Sequence, residues 1–279
     1  MAVHELNSTE YATMETELEK ELPYSICVFS HFKLLRRGWL TDKAVLVDSW
    51  PDFTAVVIVD SKRKKTLPYA VSFCKQPDSC QFLEILLRHA FEVLSSPLFI
   101  TGCTDAVIDA LVNRFKDAET SPVKKFSEGV AFTLPPDKIV PLEAPDGLRI
   151  SKLKQSQVEN VYNSWEYTEE YERHADLRYW IRYHISNFHT VCIETEDGRP
   201  VAWELQQEYG GIGMLYVEPE YRRANLGSVV TRTLAGKLVK DGESVFAFVE
   251  DSNETSINFH KKNGYVLMPF KASFAIYNL

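Results

Sequence analysis

The sequence has few of the features that mark several large classes of protein. Its five cysteines are dispersed: Cys27, Cys74, Cys80, Cys103 and Cys192. Their spacing matches no zinc-binding pattern, so we expect no metal site. An odd number of cysteines within apolar segments favours free buried thiols and a reducing compartment. No apolar run approaches the roughly 18 residues that cross a bilayer. We therefore expect a soluble intracellular protein, cytoplasmic or mitochondrial, with no membrane span.

An excess of positive charge is also missing. The 279 residues include 31 lysines and arginines against 39 aspartates and glutamates, a formal net charge of -8. Nucleic acid is bound largely through its phosphates, which requires a basic face. The basic run of residues 62–65 is too short to supply one and is interpreted as a solvated turn. The charge balance thus argues against a nucleic-acid partner.

The composition that remains is that of a globular protein with a sizeable core, at 45% hydrophobic and 25% charged residues. Residues 135–147 contain four prolines and predict an extended connector, because proline interrupts both helices and sheets. We therefore expect a domain at 1–134 and a second domain at 148–279.

The first half predicts a mixed α/β domain. Met14 and Leu18 recur at helical spacing before Pro23, which indicates an opening helix. Asp78 and Gln81 predict a capping box for a helix through about residue 94, and Thr104 could cap another through about residue 116. Strand-like runs occur at residues 25–32, 44–47, 54–60 and 69–74.

The second half predicts a hairpin followed by alternating strands and helices. Asp197 and Gly198 indicate the hairpin turn. Strands are predicted at 148–153, 190–195, 201–208, 212–217 and 244–249, with a final strand pair across 265–277. Helices are predicted at 155–165, about 171–187, 226 to about 241, and 254–262.

One strand–turn–helix segment predicts an anion site. The strand at 212–217 leads into a turn that carries Arg222 and Arg223, and a helix follows. Free backbone N–H groups and the positive end of the helix dipole meet at such a turn. Asn225 stands where such loops often use glycine, and asparagine best tolerates a left-handed conformation among the other residues. A plain capped helix with exposed arginines is the alternative reading.

This turn resembles the acyl-CoA-binding motif of the GNAT acyltransferase superfamily, Arg-x-x-Gly-x-Gly/Ala. Arg222 and Gly227 match the motif, while Asn225 replaces its first glycine. A second GNAT-like signature follows at residues 249–265. The resemblance implies a GNAT-type α/β fold, a mixed and mostly antiparallel sheet flanked by helices. We interpret residues 1–134 as a degenerate second copy of it.

Over nearly its whole length the chain also resembles the glycine N-acyltransferase family. Residues 47–53, 187–192, 200–203 and 219–222 carry that likeness. It implies an acyl-CoA-dependent N-acyltransferase that acylates a small amino acid such as glycine. It implies no permanently bound cofactor, with acetyl-CoA or a longer acyl-CoA as co-substrate.

The resemblance also implies a set of residues that bind acyl-CoA. The pantetheine arm would pair with the strand, and the diphosphate would rest on the turn. The expected binding residues are Met214, Leu215, Tyr216, Val217, Arg222, Arg223, Ala224, Asn225, Leu226, Gly227, Ser228, Asn253 and Phe259.

The catalytic groups are less clearly marked in the sequence. His260 stands where many GNAT enzymes have a tyrosine as general acid; the alternative is a surface histidine. The proposed base of characterised glycine N-acyltransferases falls at Gly211, which is no carboxylate. Glu208 is the candidate replacement, with Glu204 on the preceding strand, although either could be a solvated charge at a strand edge. Without a base, alkaline pH would favour the reaction.

Two further functions stay open at this point. The acceptor could be a protein lysine, a polyamine or another amine, or the protein could bind acyl-CoA without catalysis. The sequence leaves the acyl chain length and the oligomeric state undetermined.

Overall fold

The computed structural model describes residues 3–64, 68–166, 168, 172 and 176–279. Lys65 and most of residues 167–175, where part of one predicted helix falls, lie outside the described residues. The chain divides into two compact units. The first comprises Met1–Ala131, Val249–Asn253 and Met268–Leu279, and the second comprises Phe132–Phe248 and Glu254–Leu267.

The first unit contains most of an eight-stranded sheet in the order β1-β2-β3-β4-β5-β12-β6-β11. Its strands are β1 His4–Glu5, β2 Lys43–Val47, β3 Ala55–Asp60, β4 Tyr69–Cys74, β5 Leu98–Thr101, β6 Val123–Thr133, β11 Phe246–Glu250 and β12 Val266–Tyr277. Strands β4 and β5 pair in parallel, whereas β2–β3, β3–β4 and β5–β12 are antiparallel. Every residue of β3 and β4 is buried, as expected for strands covered on both faces.

The helices of the first unit pack against this sheet or against one another. They are α1 Tyr11–Lys20, α2 Ile26–Arg36, α3 Cys80–Leu94 and α4 Asp105–Asn113. In α3, Leu83, Leu86, Leu87, Ala90 and Leu94 are buried and recur at helical spacing. They join residues of β2 to β5 in one core cluster.

Three predictions for this unit were wrong, one of them the cap at Thr104, which precedes α4 but makes no side-chain hydrogen bond to it. Residues 26–36 form α2 and not a strand, because an apolar run of this length fits a helix buried on most sides as well as a strand. The predicted capping box at Asp78 is also absent. Pro77–Ser79 form a 3-10 turn instead, and no side chain caps α3.

The second unit contains an antiparallel four-stranded sheet in the order β10-β9-β8-β7. Its strands are β7 Leu148–Ser151, β8 Thr190–Thr195, β9 Pro200–Gln206 and β10 Ile212–Val217. Its helices are α5 Val158–Ser164, α6 Leu177–Asn187, α7 Leu226–Lys240 and α8 Glu254–Lys262. The β8–β9 hairpin is confirmed, since Thr195 N–H donates to the Arg199 carbonyl at 3.0 Å.

The end of the chain differs from the prediction. One continuous strand, β12, replaces the expected strand pair. The sequence shows no turn strong enough to divide this segment. Across the described residues, no helix is both long and apolar enough to cross a membrane.

Candidate functional site

Strand β10 lies at one edge of the four-stranded sheet. Within the described residues its strand partner is β9 alone, so its outer edge has no strand against it. The register shifts between Gly213 and Tyr216, where Met214 has a φ of 56°. This bulge turns the backbone of Met214 and Leu215 out of the regular ladder. The strand therefore presents backbone donors and acceptors along a free edge.

The turn after β10 presents a run of backbone donors at the start of α7. Among the described residues, no protein acceptor is found for the N–H groups of residues 223–228, and no side chain caps the helix. These groups lie at the positive end of a fifteen-residue helix. A row of free N–H groups at a helix N-terminus binds anions such as phosphate.

The backbone of this turn twice enters the left-handed region. Arg223 has a φ of 68° and Asn225, the residue just before α7, a φ of 61°. The prediction that Asn225 takes the conformation usually left to glycine is confirmed. The turn is further held by Pro219–Tyr221, a 3-10 helix, and by Glu218 N–H, which donates to the Val201 carbonyl at 2.9 Å.

The arginines of the turn are exposed, but Arg222 has a defined position. Its Nε donates to the Val217 carbonyl at 3.1 Å, and its guanidinium lies 5.9 Å from the centre of the Tyr216 ring. Tyr216 in turn stacks on Trp203 at 4.9 Å. Arg222 is therefore held beside the free N–H groups. Ala224, also exposed, leaves space around these groups.

Gly227 makes a close approach between α7 and α8 possible. A Cβ at this position would lie 3.2 Å from Cε2 of Phe259 and 3.7 Å from Cγ2 of Val217. The buried residues beside it, Leu226 and Ser228, complete the first turn of α7. The structure thus explains the small residue here by its packing against Phe259.

The turn between β9 and β10 contains Glu208. Gln207 N–H donates to the Gly211 carbonyl at 2.7 Å, so Glu208 and Gly211 belong to one tight turn. Glu208 is buried, and its N–H donates to Nε2 of His184 at 3.1 Å. The interpretation of Glu208 as a solvated charge was therefore wrong.

His184 is fixed as a neutral ring by this arrangement. Its Nδ1 donates to the Trp180 carbonyl at 2.9 Å, while its Nε2 accepts from Glu208 N–H. Since both nitrogens are engaged by the backbone, the ring positions the turn and has no free lone pair for a reaction.

Gly211 has no room for a side chain. A Cβ there would lie 2.7 Å from Cε2 of Tyr209 and 3.0 Å from Cε2 of Phe246. The ring of Tyr209 thus fills the space beside the position where the family resemblance places a glutamate. A carboxylate at 211 would require the aromatic rings to move.

Glu204 is a buried acid on β9. Its Oε2 accepts a hydrogen bond from Oγ1 of Thr231, on α7, at 2.6 Å. Burial raises the pKa of Glu204 to about 8, and the Thr231 hydrogen bond offsets only part of that rise. The carboxyl group is therefore protonated at neutral pH. The interpretation of Glu204 as a solvated charge was wrong, because its strand lies beneath α7.

His260 is also buried, on the inner face of α8. Its ring stacks on Phe132 at 5.3 Å and meets Tyr265 edge-on at 4.9 Å. Its Nδ1 donates to the Ser256 carbonyl at 2.7 Å. Burial lowers the pKa of His260, so the ring is neutral near pH 7 and its one N–H is bound to the backbone. The surface-histidine alternative was wrong.

The last predicted site residue, Asn253, lies in the first unit. It follows β11, and its N–H donates to the Glu250 carbonyl at 2.9 Å. Across the described part of the chain, no group of three or more His, Cys, Asp or Glu side chains could hold a metal ion.

Two features of the site were not predicted from the sequence. One is the Glu204–Thr231 hydrogen bond, which joins residues 27 positions apart. The other is the contact of Tyr209 with Phe246 and Phe248. For the contact of Tyr209 with the two phenylalanines, the only signal in the sequence was the aromatic residues themselves, in the β9–β10 turn and in β11.

Comparison with solved structures defines the class of protein. A Drosophila protein superposes with a TM-score of 0.78 at 15% identity, over 99% of this chain and 98% of that one. A GCN5-related N-acetyltransferase from Sphaerobacter thermophilus gives 0.57 at 12% identity, over 99% and 94%. The protein therefore has a two-domain GNAT fold, as predicted.

Comparison of sequences defines the family. Residues 3–188 match the family model described as aralkyl acyl-CoA:amino acid N-acyltransferase, and residues 192–274 match that of FR47-like protein. The human glycine N-acyltransferase is 27% identical over 86% of this chain and 87% of its own length. Because the first model covers more than half of the sequence, the chain belongs to the aralkyl acyl-CoA:amino acid N-acyltransferase family. It is an acyltransferase, and its family uses acyl-CoA.

Proposed function

We propose that this protein transfers an acyl group from acyl-CoA to the amino group of a small amino acid, glycine in the first instance. The observation that carries the proposal is the run of free N–H groups at residues 223–228, beside Arg222 and at the end of the open strand β10. This arrangement fits a diphosphate at the helix and a pantetheine arm along the strand. The name of the human relative supports the choice of glycine.

The bulge of β10 supplies the groups that act on the thioester. The acceptor nitrogen attacks the thioester carbonyl, whose oxygen gains negative charge before the carbon–sulfur bond breaks. A backbone N–H at Met214 or Leu215, freed from the ladder by the bulge, stabilises that oxygen. The products are an amide and the CoA thiol.

The acceptor amine must lose a proton, and Glu208 is the proposed base. Glu208 is buried in the same tight turn as Gly211, so its carboxylate replaces the one that Gly211 lacks. His260 is the proposed acid for the departing thiolate, but its ring is neutral and its one N–H is bound to the Ser256 carbonyl. A neutral imidazole is a weaker acid than the CoA thiol, so His260 can donate only after its Nε2 has taken up a proton, and water is the alternative donor.

The experiment is an activity matrix of acyl-CoA thioesters against amines, with release of free thiol as the readout. Turnover with glycine supports the proposal. Turnover only with polyamines or lysine peptides would contradict the acceptor, and would agree with the acidic net charge of -8. Stabilisation by acyl-CoA with no thiol release from any pair would contradict catalysis.

Substitution of Arg222 tests the binding site itself. Arg222→Ala should weaken CoA binding roughly tenfold, because a charge-assisted contact to phosphate is lost at an exposed position. Arg36→Ala removes the same charge from the exposed end of α2 and is the matched control. Equal affinity of both variants for CoA in calorimetry would remove the turn from the site.

The proposed base is tested by the pH profile. Glu208→Gln should lower kcat and give a rate that rises with pH until the amine itself is deprotonated. An unchanged profile would show that Glu208 is not the base.

A further inference from the structure

We infer that the aromatic cluster of Tyr209, Phe246 and Phe248 limits the length of the acyl group that this protein transfers. This inference rests on the proposed acyl-CoA site. It adds a substrate property that the sequence leaves undetermined, namely a preference for short acyl chains over long unbranched ones.

The direction of β10 places the acyl group near this cluster. The free N–H groups of residues 223–228 follow the carboxyl end of β10, so the diphosphate belongs at that end. The pantetheine arm then runs toward the amino end, along a strand of six residues that spans roughly 20 Å. The thioester and its acyl group therefore point toward Gly211, where β10 begins.

The three rings form one cluster beside Gly211, at that end of β10. Tyr209 and Phe248 stack with ring centres 5.9 Å apart, and Phe246 meets Phe248 edge-on at 5.7 Å. Phe246 is fully buried and Tyr209 is 8% exposed. The lack of room for a Cβ at Gly211, against both Tyr209 and Phe246, shows that the rings pack directly on the backbone.

A site bounded by this aromatic cluster accepts an apolar acyl group of limited length. A short hydrocarbon gains contact with the ring surfaces, because burying each methylene is favourable. A chain that extends past the rings must displace side chains that are already packed together, which is unfavourable. We therefore expect kcat/KM to be lower for long unbranched acyl chains than for short ones.

The test compares acyl-chain preference in wild-type protein and two variants of Tyr209. The probes are acetyl-, butyryl-, octanoyl- and palmitoyl-CoA with one fixed acceptor, glycine. Tyr209→Ala removes the ring and should raise the octanoyl-to-acetyl ratio of kcat/KM about tenfold or more. Tyr209→Phe keeps the ring and is the matched control, with an unchanged ratio. A purely structural role would lower all rates together and leave the ratio as it was.

A second variant covers the case in which Tyr209→Ala does not fold. Phe248→Leu makes a smaller change in the same cluster and should shift the ratio in the same direction. Wild-type protein that prefers palmitoyl-CoA, or variants that keep the wild-type ratio, would overturn the inference while leaving acyl transfer in place. Absence of thiol release from every thioester would overturn the proposed function and the inference with it.

Discussion

At the scale of single residues, two buried glutamates of the four-stranded sheet have opposite pKa shifts because their hydrogen-bond partners differ. Glu194 on β8 is bonded to Lys154 at 2.7 Å and to Gln157 at 2.9 Å. Burial opposes its ionisation, but these hydrogen bonds outweigh that effect, and the pKa of Glu194 is lowered. Glu204 on β9 has only the Thr231 hydroxyl, so burial dominates and its pKa rises. The sequence shows both simply as strand glutamates.

The free energy of unfolding should therefore decrease as pH rises, because of the ionisation of Glu204. The unfolded glutamate loses its proton near pH 4.5, while the folded one keeps it to about pH 8. Between these values the folded state binds more protons than the unfolded state, so the free energy of unfolding decreases as pH rises. We expect Glu204→Gln to remove this dependence and to be more stable than wild type at pH 9, by roughly 5 kcal/mol.

Urea unfolding at pH 5, 7 and 9 measures this effect. Glu194→Gln is the control of opposite sign, because it loses a carboxylate stabilised by its ion pair and should be less stable than wild type at pH 7. Equal pH slopes for Glu204→Gln and wild type would show that Glu204 is ionised in the folded protein.

At the scale of structural elements, the junction of β10 and α7 depends on one left-handed residue. Asn225, with a φ of 61°, directs the following N–H groups outward from the helix. A β-branched residue tolerates this conformation poorly, whereas glycine adopts it freely.

Substitutions at Asn225 should therefore show whether CoA binding depends on the left-handed backbone conformation or on the asparagine side chain. Asn225→Val should lower the free energy of unfolding by about 1–2 kcal/mol. It should also weaken CoA binding, because the turn would leave the left-handed conformation and the N–H groups of residues 223–228 would no longer point to one place. Asn225→Gly should bind CoA as wild type does. Calorimetric affinities with thermal melts check this, and equal CoA binding by the Val and Gly variants would show that the left-handed conformation is not needed.

Two elements show why local sequence was insufficient. Strand-like residues 26–32 form part of α2, which packs against β4 of the same unit. Residues 266–277 form the single strand β12, which pairs with β5, where Ala275 lies opposite Ile100 from a distant part of the chain. In both cases the deciding contacts are distant in sequence, so periodicity over a short window could not identify them.

At the scale of the whole molecule, the chain contains two strand–turn–helix–strand segments whose strands differ in pairing. In the earlier segment β4 and β5, on either side of α3, pair directly, with Ala70 opposite Ile100. In the later segment β10 and β11, on either side of α7, belong to different sheets. We interpret the segment β4–α3–β5 as a copy of the GNAT fold in which the two strands pair directly. A pantetheine arm would therefore find no free strand edge between β4 and β5.

The chain should therefore bind one molecule of CoA. Isothermal calorimetry should give a stoichiometry of one CoA per chain, and Arg222→Ala should weaken the whole binding signal. A second binding event that survives in Arg222→Ala would place another CoA site elsewhere in the chain.

From the sequence, the family resemblance implied the GNAT-type fold, while local patterns predicted the order of β10, turn and α7 and the left-handed Asn225. The local features depend on backbone preferences and hydrogen bonds between residues close together in the chain, which a short segment determines by itself. Only the tertiary structure decided that Glu204, Glu208 and His260 are buried, and that Tyr209 meets the rings of β11. Burial and ring packing depend on residues brought together from distant parts of the chain, and no local pattern encodes them.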